Sequence, residues 1–111
     1  MSHEKLMVYR ELLSVASVPA KRVATWPRGF AYLRDQLMRA LASALLTLAE
    51  GNGKRSSKAE RRRFFEMLMG SVAESAACLD LAHAYRIMKR ADQESFKSRL
   101  RRVYVMLNAL P

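Results

Sequence analysis

The fold is decided by the stretch Ala40-Leu-Ala-Ser-Ala-Leu-Leu-Thr-Leu-Ala49 and by the segment that follows it, Glu50-Gly-Asn-Gly-Lys-Arg-Ser-Ser57. The first is an uncharged run rich in the strong helix formers alanine and leucine. Gly51 and Gly53 tolerate positive φ and predict the end of this helix. Ser57-Lys-Ala-Glu60 is a capping box, in which Ser57 caps the next helix and Glu60 returns to its backbone N–H. The pattern therefore predicts two helices joined by a basic turn.

The next helix contains Glu60-Arg-Arg-Arg-Phe-Phe65 and Gly70-Ser-Val-Ala-Glu74, and its apolar arc is unusually wide. One predicted face comprises Phe65, Leu68, Val72, Ala76 and Leu79. Further apolar residues around the arc are Phe64, Met67, Ala73, Ala77, Leu81 and Ala84. So broad an arc exceeds what one intramolecular contact needs, and we expect a second buried surface between subunits of a homo-oligomer. The small residues Gly70 and Ser71 predict a close approach of another helix.

The uncharged run belongs to a longer helix that begins after the chain break at Trp26-Pro-Arg-Gly29. The apolar stripe of this helix is Phe30, Leu33, Leu37, Leu41, Ala44, Leu45 and Leu48. Upstream, a helix is predicted from about His3 to Thr25. Its residues at helical spacing are Leu6, Tyr9, Leu13 and Ala16. Pro19 lies inside this helix and either kinks it or splits it into two pieces.

Asp92 is the expected cap of the last helix. This helix is predicted to direct inward Phe96, Leu100, Val103, Leu107 and Leu110, and to leave outside Lys97, Arg99, Arg101 and Arg102. Because β-branched residues are few and no strand pattern is found, we predict an all-α fold. Four antiparallel helices with short connections predict a single up-down four-helix bundle comprising residues 1–111.

The composition favours one domain in a reducing compartment. A chain of 111 residues is long enough to bury its own hydrophobic core. One cysteine, Cys78, excludes an internal disulfide, so we expect a cytoplasmic protein. No secretory signal is recognised at the N-terminus. The apolar run 40–49 is much shorter than the ~20 residues that a membrane span needs, so no membrane association is expected.

The net charge of +10 is unevenly distributed. Residues 53–63 carry six Lys or Arg against one acid, and residues 86–111 carry seven against two. Residues 64–85 carry none against three acids, and residues 1–52 carry seven against four. Clustered cations release counterions when they meet a polyanion, so this pattern is typical of contact with nucleic acid or another anionic surface. The alternative is a solvated face that only keeps the protein soluble.

The basic segment 54–63 is the best candidate for a functional site. It surrounds a helix N-terminus, where the helix dipole and free N–H groups also favour anions. The predicted nucleic-acid contacts are Lys54, Arg55, Lys58, Arg61, Arg62 and Arg63, supported by Arg99, Arg101 and Arg102. No aromatic-rich stacking surface or groove-reading motif accompanies them, so we expect contacts to the phosphate backbone.

No nucleotide site or catalytic nucleophile is predicted. Gly51-Asn-Gly53 lacks the glycine spacing and the Gly-Lys-Ser/Thr ending of a phosphate loop. Only His3 and His83 could activate a nucleophile. Cys78 is interpreted as a small buried hydrophobe.

No metal or other cofactor is predicted either. Asp80 and His83 share one helix face, as in bundles that hold a di-metal centre, but a second copy of the motif is absent. Glu50 and Glu74 are interpreted as structural carboxylates that are paired or hydrogen-bonded. The sequence therefore predicts no catalytic residues, and we expect a protein that is not an enzyme.

Four segments carry a resemblance to a known family: Asp35-Gln-Leu37, Leu48-Ala-Glu-Gly51, Arg63-Phe64 and Gly70-Ser-Val-Ala-Glu74. They resemble the four-helix-bundle proteins encoded in 23S rRNA intervening sequences, which are related to the accessory variability proteins of diversity-generating retroelements. The likeness covers roughly residues 4–90. It implies a four-helix bundle that assembles as a ring-like homopentamer with a basic surface. The retroelement relatives bind nucleic acid and a reverse transcriptase, whereas no biochemical role is settled for the intervening-sequence members.

Together these patterns predict a non-enzymatic, oligomeric helical bundle that binds RNA or DNA through phosphate contacts. It would act as an accessory scaffold for another protein, of which a reverse transcriptase is the example that the resemblance supplies. The alternative is a pure assembly protein whose positive charge serves an acidic protein partner. A metal-dependent bundle enzyme is a more distant alternative.

Overall fold

The computed structural model describes residues 1–18, 23–51 and 57–110. Within these ranges the chain forms α-helices, two short 3₁₀ turns and no strand. The helices are α1 (His3–Ser17), α2 (Ala31–Glu50), α3 (Lys58–Ala84) and α4 (Arg90–Asn108), and the 3₁₀ turns are Val23–Thr25 and Arg28–Phe30.

Each helix packs against its neighbours in the chain, and α4 returns to pack against α1, which closes a four-helix bundle. The principal dimensions of the bundle are 46 × 21 × 19 Å. All four helices contribute to one apolar core. The most deeply buried large side chains are Val8, Leu12, Val15, Leu37, Leu41, Leu79, Val103 and Leu107, with Val23 from the first 3₁₀ turn. The predicted all-α four-helix bundle is therefore confirmed.

The first helix is shorter than predicted and buries a different stripe. It ends at Ser17 rather than near Thr25, and Pro19 lies outside the described residues. Because proline has no N–H, residue 19 cannot donate to the carbonyl of Val15, and the N–H of Val18 bonds to that carbonyl instead at 3.2 Å. Leu13, one of the apolar residues at helical spacing, is exposed. The buried residues of α1 are Val8, Leu12 and Val15.

The predicted stripe of α2 is confirmed in its central part. The residues buried there include Leu33, Leu37, Leu41, Ala44 and Leu48, whereas Phe30 and Leu45 are half-buried. Helix α2 ends at Glu50, with Gly51 as its cap. The reason given for Gly51 was wrong, because its φ is −2° and lies outside the left-handed region. Gly53 lies outside the described residues.

Helix α3 projects beyond its neighbours at its N-terminal end. The hydroxyl groups of Ser43 and Ser71 lie 3.2 Å apart, which sets the register between α2 and α3. Seven residues of α2 follow Ser43, whereas thirteen residues of α3 precede Ser71. The difference of six residues corresponds to about 9 Å of helix. Residues 58–63, which we call the basic arm, are consequently all exposed.

The predicted cap of α3 is confirmed, but one prediction about its packing is wrong and another holds only in part. Ser57 Oγ accepts a hydrogen bond from the backbone N–H of Glu60 at 3.1 Å. Phe65 is 37% exposed rather than buried, because it lies next to the projecting arm. The close approach predicted at Gly70-Ser71 is found at Ser71, which meets Ser43 of α2, whereas a Cβ placed on Gly70 would meet no described residue within 4 Å. The residues that α3 buries are Leu68, Val72, Ser75, Cys78, Leu79 and Ala82.

The turn from α3 to α4 forms at a residue in the left-handed conformation. Arg86 has a φ of 60°, and within the described part of the chain it is the one non-glycine residue whose φ is positive. Its N–H bonds to the carbonyl of His83 at 2.9 Å, and the N–H of Ile87 bonds to that of Ala82 at 3.0 Å. This pair of bonds is the Schellman arrangement, which usually places glycine where Arg86 stands. The left-handed conformation costs a residue with a Cβ roughly 1–2 kcal/mol.

Helix α4 begins earlier than predicted. Lys89 is its N-cap, and the predicted cap Asp92 lies inside the first turn, where a carboxylate is favoured by the helix dipole. The predicted inward residues Phe96, Leu100, Val103 and Leu107 are buried, and Leu110 is half-buried.

An ion pair between Lys97 and Asp80 connects α4 to α3. Lys97 donates to Asp80 Oδ1 at 2.7 Å, and the amide of Gln93 donates to the same oxygen at 2.9 Å. Lys97 is therefore half-buried rather than outside the bundle. The hydrogen bond from Lys97 is the main reason that the pKa of Asp80 lies below its usual value.

We predict that Asp80→Asn lowers the free energy of unfolding by at most about 1 kcal/mol near pH 7, because the pair is half-exposed and screened by solvent. The lowered pKa of Asp80 means that the pair stabilises the fold above about pH 4 and loses this effect as the pH falls through the folded-state pKa. Denaturant unfolding of both proteins should show a difference that shrinks on acidification. Asp35→Asn is the control, since the contact of Asp35 with Arg34 is longer, at 3.7 Å.

We also predict that Arg86→Gly raises the free energy of unfolding by about 1 kcal/mol, because glycine adopts the left-handed conformation without a Cβ clash. Arg102→Gly, in the interior of α4, should lower it by about the same amount. Urea denaturation measures the free energy of unfolding of both variants. A variant at residue 86 that is no more stable than the wild type would contradict the strain assigned to this turn.

Candidate nucleic-acid interface

Four helix ends meet at one end of the bundle and enclose an open cleft of about 740 Å³. Its walls are the N-terminal turns of α1 and α3 and the C-terminal turns of α2 and α4. The lining residues are Ser2, Lys5, Thr47, Leu48, Gly51, Lys58, Arg61, Arg62, Phe64, Phe65, Leu68, Leu107, Asn108 and Leu110. The volume lies within the range of about 300–1,000 Å³ that is usual for ligand sites. We call this the bundle-end cleft.

Positive charge dominates the polar part of the bundle-end cleft. Lys58, Arg61 and Arg62 enter it from the basic arm, and Lys5 enters it from α1. No Asp or Glu occurs among the described lining residues. The N-termini of α1 and α3 and the C-termini of α2 and α4 open at the same end, so their helix dipoles largely offset one another and the side chains set the sign of the field. The electrostatic potential of this end therefore favours an anion.

Lys5 reaches the cleft beside Gly51, with its ammonium group close to the position that a side chain of residue 51 would occupy. A Cβ on Gly51 would overlap Lys5 Nζ and would lie 2.9 Å from the carbonyl oxygen of Leu48. Ser2 is the N-cap of α1, and its Oγ accepts a hydrogen bond from the backbone N–H of Lys5 at 3.1 Å. The end of Lys5 is flexible and could move aside, so the backbone contact with Leu48 is the firmer reason that a side chain at residue 51 is disfavoured.

Most of the remaining lining is apolar, with Ser2, Thr47 and Asn108 as its polar members, and the sequence pattern did not predict this apolar surface. Leu48, Leu68 and Leu107 are buried and form the floor, while Phe64 and Phe65 belong to the wall. The expectation that no aromatic surface accompanies the cations must therefore be corrected. The signal was present in the sequence, because Phe64 and Phe65 directly follow the arginine run. Helical spacing instead places Phe65 on a buried face and Phe64 at a subunit interface.

The other predicted site residues lie in different places. Arg63 is exposed but does not line the bundle-end cleft. Arg99 is half-buried and donates to Ser14 Oγ of α1 at 2.6 Å, eight residues or about 12 Å of helix before Leu107. Arg101 and Arg102 are exposed on α4. Lys54 and Arg55 lie outside the described residues.

The side chains considered for other chemistry have structural partners. Asp80 pairs with Lys97, and His83 Nδ1 lies 3.2 Å from the carbonyl oxygen of Met88. No three His, Cys, Asp or Glu side chains gather as a metal would require in the described part of the chain.

Two further predictions about individual side chains are confirmed. Cys78 is buried, and this burial, together with the charge of Glu74, raises the pKa of its thiol. Glu74 is hydrogen-bonded, because it accepts from the amide of Gln36 at 3.1 Å. Glu50, the second glutamate that was interpreted as structural, is the last residue of α2 and is exposed.

A strip of apolar and small residues runs along the outside of α3. Its members are Met67, Gly70, Ala77 and Leu81, with Glu74 between them. They recur every three or four residues and therefore share one helix face. Met67 is 55% and Leu81 43% exposed, and Gly70 faces open space. We call this the outer strip. Ala73 and Ala84 are also exposed, whereas Phe64 is half-buried and belongs to the bundle-end cleft.

Comparison with known proteins assigns the chain to a family. No helix in residues 1–18, 23–51 or 57–110 has the length and apolar character needed to cross a membrane. No curated protein matches the chain. The sequence model of the 23S rRNA-intervening sequence protein family matches residues 4–109, which is nearly the whole chain. The chain with this basic, four-helix architecture therefore belongs to the 23S rRNA-intervening sequence protein family.

Proposed function

We propose that the protein is a non-enzymatic, cytoplasmic, oligomeric bundle that binds RNA or DNA through phosphate contacts at the bundle-end cleft. The observation that carries this proposal is the convergence of Lys5, Lys58, Arg61 and Arg62 at one end of the bundle, without an acid among the described lining residues. These four cations come from two helices that are distant in sequence. A solvated face that only confers solubility does not require such convergence.

The basic arm is suited to contact a polyanion. It projects about 9 Å beyond α2, so its cations can approach a phosphate backbone without a clash from the rest of the bundle. Positive side chains at a helix N-terminus are disfavoured by the helix dipole, and a bound phosphate would relieve this repulsion. Ser57 already caps one free N–H of this terminus, and further N–H groups of the first turn remain for an anion.

The roles of the remaining predicted contacts divide by position. Arg63, Arg101 and Arg102 are exposed and would add long-range attraction. Arg99 donates to Ser14, so its main role is to connect α4 to α1. Lys54 and Arg55 retain their predicted role as phosphate contacts.

The second part of the proposal is a homo-oligomer that forms through the outer strip, as the pentamer that the family resemblance implies. Exposed apolar residues at three- and four-residue spacing match the pattern that helices use to pack against each other. Gly70 supports this, because a glycine in a helix interior costs about 1 kcal/mol and no described residue of the subunit lies close enough to require it. On α2, Leu46 is 59% exposed and adds to the apolar surface of the subunit. Such a scaffold could present several clefts to one nucleic acid and to a protein such as a reverse transcriptase.

Charge reversal tests the phosphate contacts. We predict that Arg61→Glu with Arg62→Glu weakens RNA binding at least tenfold and reduces the slope of log affinity against log salt by about 0.7 to 0.9 for each phosphate that is no longer neutralised. The matched control is Arg10→Glu with Arg28→Glu, which lowers the net charge equally with exposed arginines away from the cleft. Fluorescence anisotropy over a salt series measures both variants. Equal effects of the two double variants would show that only net charge matters.

A different result would support an acidic protein partner instead. If the wild type binds no RNA or DNA at low salt but binds an acidic peptide through the same arginines, the proposed function is wrong. Unchanged helicity and oligomer size in both double variants, measured by circular dichroism and light scattering, ensure that the comparison concerns binding alone.

A second pair of variants tests the assembly. We predict that Met67→Glu with Leu81→Glu converts the homo-oligomer to the 12.7-kDa monomer, because it places charges in an apolar interface. Met7→Glu with Leu13→Glu changes the same residue types at exposed positions of α1 and should leave the oligomer intact. Light scattering coupled to size exclusion gives the masses. A wild-type protein that is monomeric at micromolar concentration would refute the proposed interface.

A further inference from the structure

We propose that the bundle-end cleft receives an unpaired base, so that the protein prefers single-stranded nucleic acid to a duplex. The flanking phosphates would contact Lys58 and Arg62 on the basic arm, while the base would lie against Phe65 above the leucine floor. This inference rests on the proposed phosphate binding and adds the kind of strand that is bound.

The apolar part of the cleft lining indicates a ligand that has an apolar group as well as a phosphate. Four leucines and two phenylalanines line it together with the cations, and Phe65 exposes 37% of its surface. Phosphates are satisfied by cations at a solvated surface and gain nothing from an apolar floor. A nucleobase, in contrast, has a π-face that stacks on an aromatic ring and an apolar area that such a floor can cover.

A duplex cannot fill the cleft in this way. Its bases are already paired and stacked, and exposing one of them costs unstacking and unpairing energy. A single strand pays much less of this cost, because its bases can be splayed out from the backbone. Duplex binding should therefore use only the cations, whereas single-strand binding should use the cations and Phe65.

The shape of the cleft favours a base over an acidic amphipathic helix. Such a helix needs an elongated apolar groove that accepts residues at positions i, i+3 or i+4, and i+7. The apolar lining here is confined to the four helix ends, where Leu48, Leu68 and Leu107 form a short floor. The cations lie beside this floor on the arm and at Lys5, which matches one ring flanked by phosphates.

The experiment compares three labelled probes by fluorescence anisotropy at one ionic strength. They are an oligouridylate of about twelve nucleotides, which is within the usual site size, the same backbone with abasic sites, and a blunt RNA duplex of equal length. We expect the oligouridylate to bind wild-type protein about tenfold more tightly than either other probe. Because these measurements use the unmodified protein, they do not depend on the folding of a variant.

Phe65→Leu then tests the stacking residue. Leucine keeps the helix and the apolar volume but removes the π-face, so we expect about tenfold weaker binding of the oligouridylate. Binding of the abasic and duplex probes, and their salt slopes, should not change. The matched control is Tyr32→Leu, which removes an exposed aromatic ring at the first turn of α2, at the opposite end of the bundle. This control should bind all three probes as the wild type does.

The outcomes separate this inference from the proposed function. Salt-dependent binding of equal affinity for all three probes would overturn the base-binding role and leave the phosphate contacts in place. An unchanged oligouridylate affinity in Phe65→Leu would overturn it in the same way. Absence of binding to every probe would overturn both proposals. An acidic amphipathic peptide that binds in a Phe65-dependent manner, while the nucleic acids do not, would assign the cleft to a protein partner.

Discussion

The unequal lengths of the helices constrain the rest of the structure. Helix α3 has 27 residues, whereas α1, α2 and α4 have 15, 20 and 19. A shared core can cover α3 only as far as the shorter helices reach. With the register set at Ser43 and Ser71, the uncovered part is the first turns of α3. The exposure of the basic arm, the partial exposure of Phe65 and the cleft below them all follow from this one mismatch.

Electrostatics and packing act in opposite directions at this end of the bundle. The cations of the basic arm repel one another and the positive end of their own helix, which costs stability. Ser57 and Glu60 offset part of this cost through the cap and an acid in the first turn. The apolar residues behind the arm attach it to the core through Leu68. A terminus that is stabilised by packing but disfavoured by charge is a suitable place to bind an anion.

Much of the fold could be predicted because local and global requirements agree. On α2, the spacing of Leu37, Leu41 and Leu48 is helical, and those residues are buried. On α4, Phe96 and Val103 behave in the same way. The prediction failed on α1, where Leu12 and Leu13 are adjacent and a one-residue shift exchanges the buried residue for an exposed one. Periodicity alone cannot choose between neighbouring leucines, because either choice gives a helical stripe.

Predictions about the site failed wherever they needed a distance between helices. Phe64 and Phe65 were assigned to buried faces, since their spacing does not reveal how far α3 extends beyond its partners. Arg99 belonged to the predicted binding set by charge alone, and only the packing of α4 on α1 places it beside Ser14. Gly51 was expected to serve a left-handed backbone conformation, but a side chain there would instead crowd the carbonyl oxygen of Leu48 and the end of Lys5, which comes from a helix that lies far away in the sequence.

The sequence by itself determined the number of helices, most of their buried stripes, the cap at Ser57 and the concentration of positive charge before α3. Each of these depends on residues that are close in the chain, and local propensity and periodicity describe such effects. Only the tertiary structure decided which cations converge, that Lys5 joins them, and that two phenylalanines line the same cleft. These features depend on the register and relative lengths of packed helices, which arise from contacts between distant residues.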